Sequence, residues 1–183
     1  MSEAADTTID VTHFVAGAKD VQVQLHLLNP SNQGKIAELM RQCVESAYKQ
    51  TFHSRFLKAG YFVLTITAKE EVVATLAAYW LPCPANTFET RFESVLKEQQ
   101  RKGYGTMLFH TLQMAALYLA KHDPFIAVNL LGYDQLSIHA YVDYKEKTDA
   151  TYWHKGMMEK WGYEEIDIND DDNERLMELI LEL

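Results

Sequence analysis

The residues best suited to chemistry lie in one glycine-bearing turn, Gln100 to Thr106, which reads Gln-Arg-Lys-Gly-Tyr-Gly-Thr. Gly103 and Gly105 permit backbone conformations that other residues avoid, so successive N–H groups can converge on one anion. A strand-like run precedes the turn and a long apolar, helix-like run follows it, which would put the anion at the positive end of a helix. The pattern predicts a phosphate site on the amides of this turn, with Arg101 and Lys102 adding positive charge.

Two other phosphate-binding turns do not fit these residues. A dinucleotide turn needs a third glycine three positions beyond Gly105, where Leu108 stands. A triphosphate loop needs Gly-Lys-Ser or Gly-Lys-Thr at its end, whereas Gly105 is followed by Thr106 and Met107. A turn that only connects two elements remains as the open alternative.

Composition indicates one globular domain. The chain has 183 residues, of which 48% are hydrophobic, enough for one substantial core. We expect residues 1–20 to form a loose arm and residues 21–183 to form a single domain. Cys43 and Cys83 are too few for a disulfide framework and lack metal-ligand spacing, so we expect packing roles for both and no metal.

Net charge and hydropathy limit the classes of partner that the protein is expected to bind. The net charge of −9 argues against a nucleic-acid surface, because phosphate contacts need clustered Lys and Arg, and it favours a basic partner. The longest apolar stretch, Met114 to Ala120, is far too short to cross a membrane, and no basic-then-apolar leader opens the chain. We therefore expect an intracellular protein, cytoplasmic or nuclear, with no membrane partner.

The elements that must position the turn alternate between strands and helices. Period-two alternation or runs of β-branched and aromatic residues predict strands at Val21–Leu27, Tyr61–Ala68, Val72–Leu81, Thr87–Leu96, Phe125–Leu131, Tyr163–Ile168 and Arg175–Leu183. Helical spacing predicts helices at Ile36–Tyr48, Phe52–Lys58, Thr106–His122 and Ala150–Trp161. The last strand fits a short helix equally well by period, but a hairpin with Tyr163–Ile168 buries its leucines. Together these elements predict an α/β fold with a central mixed, mostly antiparallel sheet flanked by helices.

The turn resembles the pyrophosphate loop of the GNAT superfamily of acetyl-CoA-dependent N-acetyltransferases. Gln100, Gly103 and Gly105 match the pattern Gln/Arg-x-x-Gly-x-Gly/Ala of that loop. The closest branch is that of the nuclear histone lysine acetyltransferases, in which Lys102 to Thr106 read identically. Close similarity covers about Thr87 to Leu112, and elsewhere the order of elements is similar. The resemblance implies a GNAT-like fold.

The same resemblance implies acetyl transfer from acetyl-CoA to a primary amine, on a protein lysine or N-terminus, by direct attack. An amine of pKa ~10.4 is neutral only about once in 2,500 molecules at pH 7, so a base is needed. Ungapped alignment places Phe88 and Glu89 where the histone branch carries its catalytic glutamate, so Glu89 is the candidate base. Glu93, on the same strand face by parity, is the second candidate.

The resemblance also implies where the coenzyme binds. The backbone N–H of Val95 would donate to the thioester carbonyl as negative charge develops on it. Leu96 and Lys97 would hydrogen-bond the pantetheine arm as an added strand does. The implied coenzyme contacts continue through the turn at Gln100, Arg101, Lys102, Gly103, Tyr104, Gly105 and Thr106.

Two departures from the family leave alternatives open. Met158 stands where many members carry a tyrosine that protonates the leaving thiolate, and Tyr152 is a possible substitute. The stretch Tyr133 to Asp149 is longer than the connection in the histone branch, and we expect it to line an acceptor groove. The alternatives are a small-amine or polyamine acetyltransferase, a non-catalytic acyl-CoA-binding module and a nucleotide-binding switch.

Overall fold

The chain folds into a mixed, mostly antiparallel sheet with helices, as the sequence predicts. The computed structural model describes residues 8–15, 20–49, 51–57, 61–81, 86–143, 156–169 and 174–183. Its strands are β1 (Thr8–Asp10), β2 (Val21–Leu27), β3 (Tyr61–Ala68), β4 (Glu71–Leu81), β5 (Thr87–Val95), β6 (Gln135–Asp143), β7 (Glu164–Asn169) and β8 (Glu174–Glu182). Its α-helices are α1 (Gln33–Tyr48), α2 (Tyr104–His122), α3 (Pro124–Asn129) and α4 (156–160). The strand order in the sheet is β1-β2-β3-β4-β5-β6-β8-β7.

The chain divides into two compact units, Met1–Tyr79 with Phe92–Tyr118, and Trp80–Arg91 with Leu119–Leu183. In the first unit, β1 to β4 form an antiparallel meander. The apolar stripe of α1 contributes Ile36, Met40 and Val44 to a core that also contains side chains of the strands. The predicted strands β2 and β5, the hairpin of β3 and β4, and the helices α1 and α2 are confirmed, each within about three residues of its predicted ends.

Cys43 is a packing residue of this first core. Its side chain is fully buried on α1, and its Sγ donates a hydrogen bond to the carbonyl of Val72 at 3.3 Å. Burial raises the pKa of the Cys43 thiol to about 12, so it remains protonated at neutral pH.

The expected loose arm is wrong for residues 8–15. The strand β1 pairs antiparallel with β2, and the Val11 N–H donates to the Val23 carbonyl at 2.9 Å. His26 lies between the hydroxyls of Thr8 and Thr65, 3.0 Å from each. These partners add β1 to the sheet and bury Val11 completely. Residues 1–7 and 16–19 lie outside the described residues, and the single domain over residues 21–183 stays a prediction.

We expect Val11→Ala to lower the free energy of unfolding by about 2 kcal/mol, because it removes two buried methyl groups and leaves a cavity. Urea unfolding followed by circular dichroism measures the loss. Val15→Ala makes the same chemical change at a partly exposed position and should cost clearly less. Equal losses in the two variants would mean that β1 does not bury Val11.

The second unit corrects the prediction of a buried strand at Phe125–Leu131. This stretch instead begins as the helix α3, because the Asp123 carboxylate accepts the N–H groups of Phe125 and Ile126 at 2.9 and 3.0 Å. Pro124 occupies the first helical position, where its missing N–H costs nothing. Only two of the apolar side chains, Ile126 and Leu130, are buried, while Phe125, Val128 and Leu131 are exposed.

The buried strand of this unit is β6, which lies inside the stretch Tyr133 to Asp149 that was expected to line an acceptor groove. β6 runs parallel to β5 and antiparallel to β8, and β8 pairs antiparallel with β7. Residues 135–143 are therefore a strand of the sheet and not part of a long connection, whereas their role in lining an acceptor groove stays a prediction. Residues 144–149 lie outside the described residues. The predicted hairpin of β7 and β8 is confirmed.

Two predicted helices are only partly helical in the structure. Among the described residues of Phe52–Lys58, only Ser54–Phe56 is helical, as one 3₁₀ turn, so the predicted helix is wrong for the other described residues and Lys58 lies outside them. Within Ala150–Trp161 residues 156–160 are helical, and the stretch before them lies outside the described residues. No helix in the ranges that the structure describes combines the length and hydropathy needed to cross a membrane.

Candidate functional site

The first unit contains the predicted phosphate turn at the start of α2. The first recorded helical hydrogen bond of α2 runs from the Met107 N–H to the Gly103 carbonyl at 3.0 Å. Among the described residues, the backbone N–H groups of Tyr104, Gly105 and Thr106 have no hydrogen-bond partner. Arg101 and Gly103 have φ angles of 64° and 90°, the left-handed region that glycine adopts most easily. The turn thus presents the N–H groups of a helix start, the geometry that binds anions.

The space above the turn is open, and its cationic side chains face solvent. A Cβ atom placed on Gly103 or on Gly105 would meet no described atom within 4 Å. Arg101 and Lys102 are exposed, and the Lys102 ammonium donates to Gln99 Oε1 at 2.8 Å. Two cationic side chains, both exposed, therefore directly precede the open amides in the sequence.

Several of the predicted coenzyme contacts lie at the end of strand β5, just before the turn. Leu96 is buried, and its N–H donates to the Val73 carbonyl at 2.9 Å. This amide is already used, so the predicted hydrogen bond from Leu96 to a pantetheine arm does not fit the structure. The contact of the Val95 N–H with the thioester stays a prediction. Gln100 Nε2 donates to the Val95 carbonyl at 3.5 Å, and Lys97 is exposed.

Strand β5 has an irregular backbone at Phe92. The φ angle of Phe92 is 59°, which is rare for a bulky side chain. Its ring lies 5.2 Å from that of Phe52, and the next carbonyl, of Glu93, accepts a hydrogen bond from the Tyr48 hydroxyl at 3.2 Å. These contacts hold the strained residue in place. The pleat is interrupted here, so parity no longer puts Glu93 on the face of Glu89.

The second unit contains the predicted base Glu89. Its side chain is 6% exposed, and Oε1 lies 2.5 Å from a guanidinium nitrogen of Arg91. The Arg91 guanidinium carbon is 4.9 Å from the centre of the Tyr141 ring. Glu89 is therefore an ion-paired, buried carboxylate. Arg91 was not predicted from the sequence, although opposite charges two positions apart on one strand are a signal for such a pair.

Strand register brings two further side chains to the same face as Glu89. Glu89 is opposite His139 in the parallel pair of β5 and β6, and His139 is opposite Glu178 in the antiparallel pair of β6 and β8. His139 Nε2 lies 3.1 Å from Glu178 Oε1. We call this set the polar face, and its members are Glu89, Arg91, His139, Tyr141 and Glu178. Neither His139 nor Glu178 was predicted as a site residue.

The opposite face of these strands is apolar. Phe88, Ile138 and Leu179 alternate with members of the polar face and are buried. Met158, at the position of the family tyrosine, is also buried, and its thioether carries no proton to donate. Tyr152 lies outside the described residues. In the ranges that the structure describes, no three His, Cys, Asp or Glu side chains are grouped to hold a metal ion.

Comparison with known proteins gives matches among solved structures. Neither protein families nor curated protein sequences give a match. A GNAT-family structure from Desulfovibrio desulfuricans aligns with a TM-score of 0.57 at 15% identity, covering 88% of this chain and 98% of that one. The ribosomal-protein-S18-alanine N-acetyltransferase of Escherichia coli aligns with a TM-score of 0.52 at 12% identity, covering 87% and 93%. A spermidine N-acetyltransferase chimera from Vibrio cholerae and hSSAT aligns with a TM-score of 0.52 at 11% identity, covering 87% and 94%.

These matches show the fold. The chain has the fold of the GNAT acyltransferases, so the predicted fold is confirmed. At these identities the acceptor and the site residues stay predictions. The predicted closeness to the histone acetyltransferase branch gains no support from these three structures.

Proposed function

We propose that this protein transfers an acetyl group from acetyl-CoA to a primary amine. The observation that supports this most is the turn before α2, where the N–H groups of Tyr104, Gly105 and Thr106 have no hydrogen-bond partner among the described residues. The exposed Arg101 and Lys102 directly precede these amides in the sequence. A GNAT fold makes a coenzyme A diphosphate the expected anion there. Acetyl-CoA supplies the activated thioester, and the protein must bind it, orient it and take up a proton.

The residues of the first unit fit the coenzyme in most of the predicted contacts. The amides of Gly103 to Thr106 would hold the diphosphate, with Arg101 and Lys102 adding charge. The Val95 N–H would stabilise the thioester oxygen as negative charge develops on it. Lys97 remains a candidate contact for the pantetheine arm, whereas the Leu96 N–H is already paired with Val73. Gln100 stabilises the end of β5, because its side-chain amide donates a hydrogen bond to the Val95 carbonyl.

The acceptor we favour is a lysine or N-terminus of a basic protein or peptide, a histone-like tail included, with a small amine or polyamine second. The net charge of −9 favours a cationic acceptor. Structures of the same fold include an alanine N-acetyltransferase acting on a ribosomal protein and a spermidine N-acetyltransferase, so both classes need testing. We place the reaction inside the cell, in the cytoplasm or nucleus.

Acetyl-CoA should raise the free energy of unfolding by about 2.7 kcal/mol at about 100 times its Kd, whereas ATP and GTP should not. Thermal unfolding with each ligand measures this, and calorimetry supplies the Kd. CoA release in the presence of a lysine-containing peptide, spermidine or buffer alone then tests transfer. Binding without release to any amine would support a non-catalytic acyl-CoA module, and protection by ATP or GTP alone would support a nucleotide switch.

A further inference from the structure

We propose that an exposed apolar surface at α3 pairs with the same surface of a second copy of this chain, so that the protein self-associates through its second unit. We call it the α3 surface, and its members are Phe125, Val128, Leu131 and Tyr133. The inference is independent of the proposed function, because it uses no residue of the turn before α2.

The α3 surface contains the most exposed large apolar side chains that the structure describes. Leu131, Phe125 and Val128 are 78%, 68% and 66% exposed, whereas no other large hydrophobic side chain in the described ranges exceeds 51%. Single exposed apolar side chains are ordinary on protein surfaces, but a contiguous group of them marks an interaction site. The exposure is therefore concentrated in one short stretch.

The members of the α3 surface are neighbours in space. Phe125, Val128 and Leu131 follow one another at intervals of three, so their side chains lie along one side of a helical segment. The Leu131 N–H donates to the Val128 carbonyl at 3.3 Å, which continues the helical turn beyond the end of α3. Ile126 and Leu130 are buried and attach the other side of the segment to the second unit.

Hydrogen bonds hold this surface in one conformation before any partner binds. Asp123 caps the start of α3, and Asn129 Nδ2 donates to the Phe125 carbonyl at 2.7 Å. The Tyr133 N–H donates to the Leu130 carbonyl at 2.9 Å. A preformed surface loses little conformational entropy on association, which favours docking.

The distribution of charge favours a second copy over a lipid surface. Residues 124–133 contain no charged side chain, in a chain with 17 basic and 26 acidic residues. Two copies that each carry a net charge of −9 repel one another, and the repulsion is smallest where no charge lies between them. An anionic membrane would repel the same net charge, and the uncharged stretch offers no basic side chain to offset it.

Opposite charges at the two ends of this stretch make the α3 surface complementary to itself. Lys121 precedes α3, Asp134 follows the stretch, and both are exposed. The carboxylate of Asp123 is engaged with the first N–H groups of α3. In a two-fold pair with antiparallel α3 helices, Lys121 of each copy lies beside Asp134 of the other copy. A parallel pair would bring like charges together, so we infer the antiparallel arrangement.

The size of the α3 surface predicts a weak, reversible dimer. Four side chains from each copy bury less than the roughly 1,600 Å² of a standard interface. Leu183, which is 51% exposed, extends the surface beside Asp134, because its N–H donates to the Asp134 carbonyl at 3.0 Å. We expect a Kd of about 10 to 100 μM, since even standard interfaces can be as weak as micromolar.

Val128→Glu tests the surface in the full chain. Sedimentation equilibrium from about 5 to 500 μM protein should show the unaltered chain passing from monomer to dimer. Val128→Glu brings two carboxylates into the centre of the interface and should raise the Kd at least about 10-fold. Leu131→Glu should do the same, and it provides a second test if circular dichroism shows that Val128→Glu is unfolded.

Ile166→Glu is the matched control for these variants. Ile166 is a 48% exposed apolar residue of the second unit, on β7 next to the pair Glu165 and Met177. That position is roughly 20 Å along β8 from Leu183, which neighbours Asp134. Ile166→Glu should therefore leave the Kd within about twofold of its original value.

A charge exchange tests the antiparallel arrangement. Lys121→Glu and Asp134→Lys should each raise the Kd about 10-fold, because each replaces two attractive pairs across the two-fold axis by two repulsive ones. The double variant restores opposite charges with their positions exchanged, so its Kd should return to within about threefold of the original. A surface that binds through apolar contacts alone would show no such restoration.

Four results would overturn the inference. The first is a chain that stays monomeric up to about 500 μM, and the second is a dimer that Val128→Glu leaves unchanged. The third is a double charge variant that stays weakened, which would exclude the antiparallel arrangement. The fourth is binding of a monomeric chain to phosphatidylserine vesicles that Val128→Glu abolishes, which would assign the surface to lipid. Calorimetry with acetyl-CoA tests the proposed function separately, so failure of either proposal leaves the other standing.

Discussion

Replacing Gly105 with glutamate should weaken acetyl-CoA binding by about 100-fold or more while leaving the protein folded. The new carboxylate would lie in the first turn of α2, beside the amides proposed to hold the coenzyme diphosphate. At a separation of about 5 Å and an effective dielectric constant of about 20, repulsion from one negative charge is about 3 kcal/mol. That energy corresponds to a factor of about 100 in Kd, and calorimetry with acetyl-CoA measures it.

Gly34→Glu is the matched control for this prediction. Gly34 is the second residue of α1, as Gly105 is of α2, and a Cβ at either position meets nothing within 4 Å. Both substitutions add one carboxylate to the first turn of a helix, where negative charge is favourable for folding. Gly34→Glu should therefore leave the Kd unchanged. Equal Kd values for the two variants would exclude the start of α2 as the diphosphate site.

The sequence predicts well those parts of the fold that are specified by residues close together along the chain. The stripe of Ile36, Met40 and Val44 predicts α1, and the alternation in Val21–Leu27 predicts β2, because each period shows which side is buried. The phosphate turn belongs to this class, since its glycines and the helix after it are local features. Pattern alone was therefore enough to place the predicted phosphate turn at the start of a helix.

The strand prediction at Phe125–Leu131 was wrong because it relied on the continuous apolar composition of the run and not on the spacing of its side chains. A continuous apolar run fits a buried strand, but an Asp123–Pro124 pair before it is a helix start. The buried side chains, Ile126 and Leu130, are four residues apart, which is helical spacing. Assigning this run to a strand hid the true one, because β6 then fell in a segment treated as an insertion.

The polar face could not have been predicted from local patterns. His139 and Glu178 are 39 positions apart, and they meet only because β6 and β8 pair in one register. A register shift of one residue would turn either side chain to the apolar face, and no short motif encodes that choice. The strained φ of Phe92 is also invisible in the sequence, since it depends on contacts with α1 and with Phe52. The turn before α2, by contrast, could be predicted because the residues proposed to bind phosphate are consecutive in the sequence.

The largest stability effect on the polar face should come from Arg91→Met, with a loss of about 2 kcal/mol in the free energy of unfolding. Removing one partner of a fully buried ion pair costs about 3 to 5 kcal/mol, because the remaining charge stays desolvated. Glu89 is buried but Arg91 is 42% exposed, so solvent screening reduces that figure. Loss of the guanidinium over Tyr141 adds a smaller contribution. Urea unfolding measures the total.

Glu89→Gln should cost less than Arg91→Met, because the amide oxygen can still accept a hydrogen bond from Arg91 and no charge is left buried. The double variant should then be more stable than the sum of the two losses predicts, with a coupling energy of about 1 kcal/mol. This non-additivity would show that the cost of Arg91→Met arises from the charge of Glu89. Strictly additive losses would mean that Arg91 stabilises the protein through Tyr141 and the aliphatic part of its own side chain, and not through the charge of Glu89.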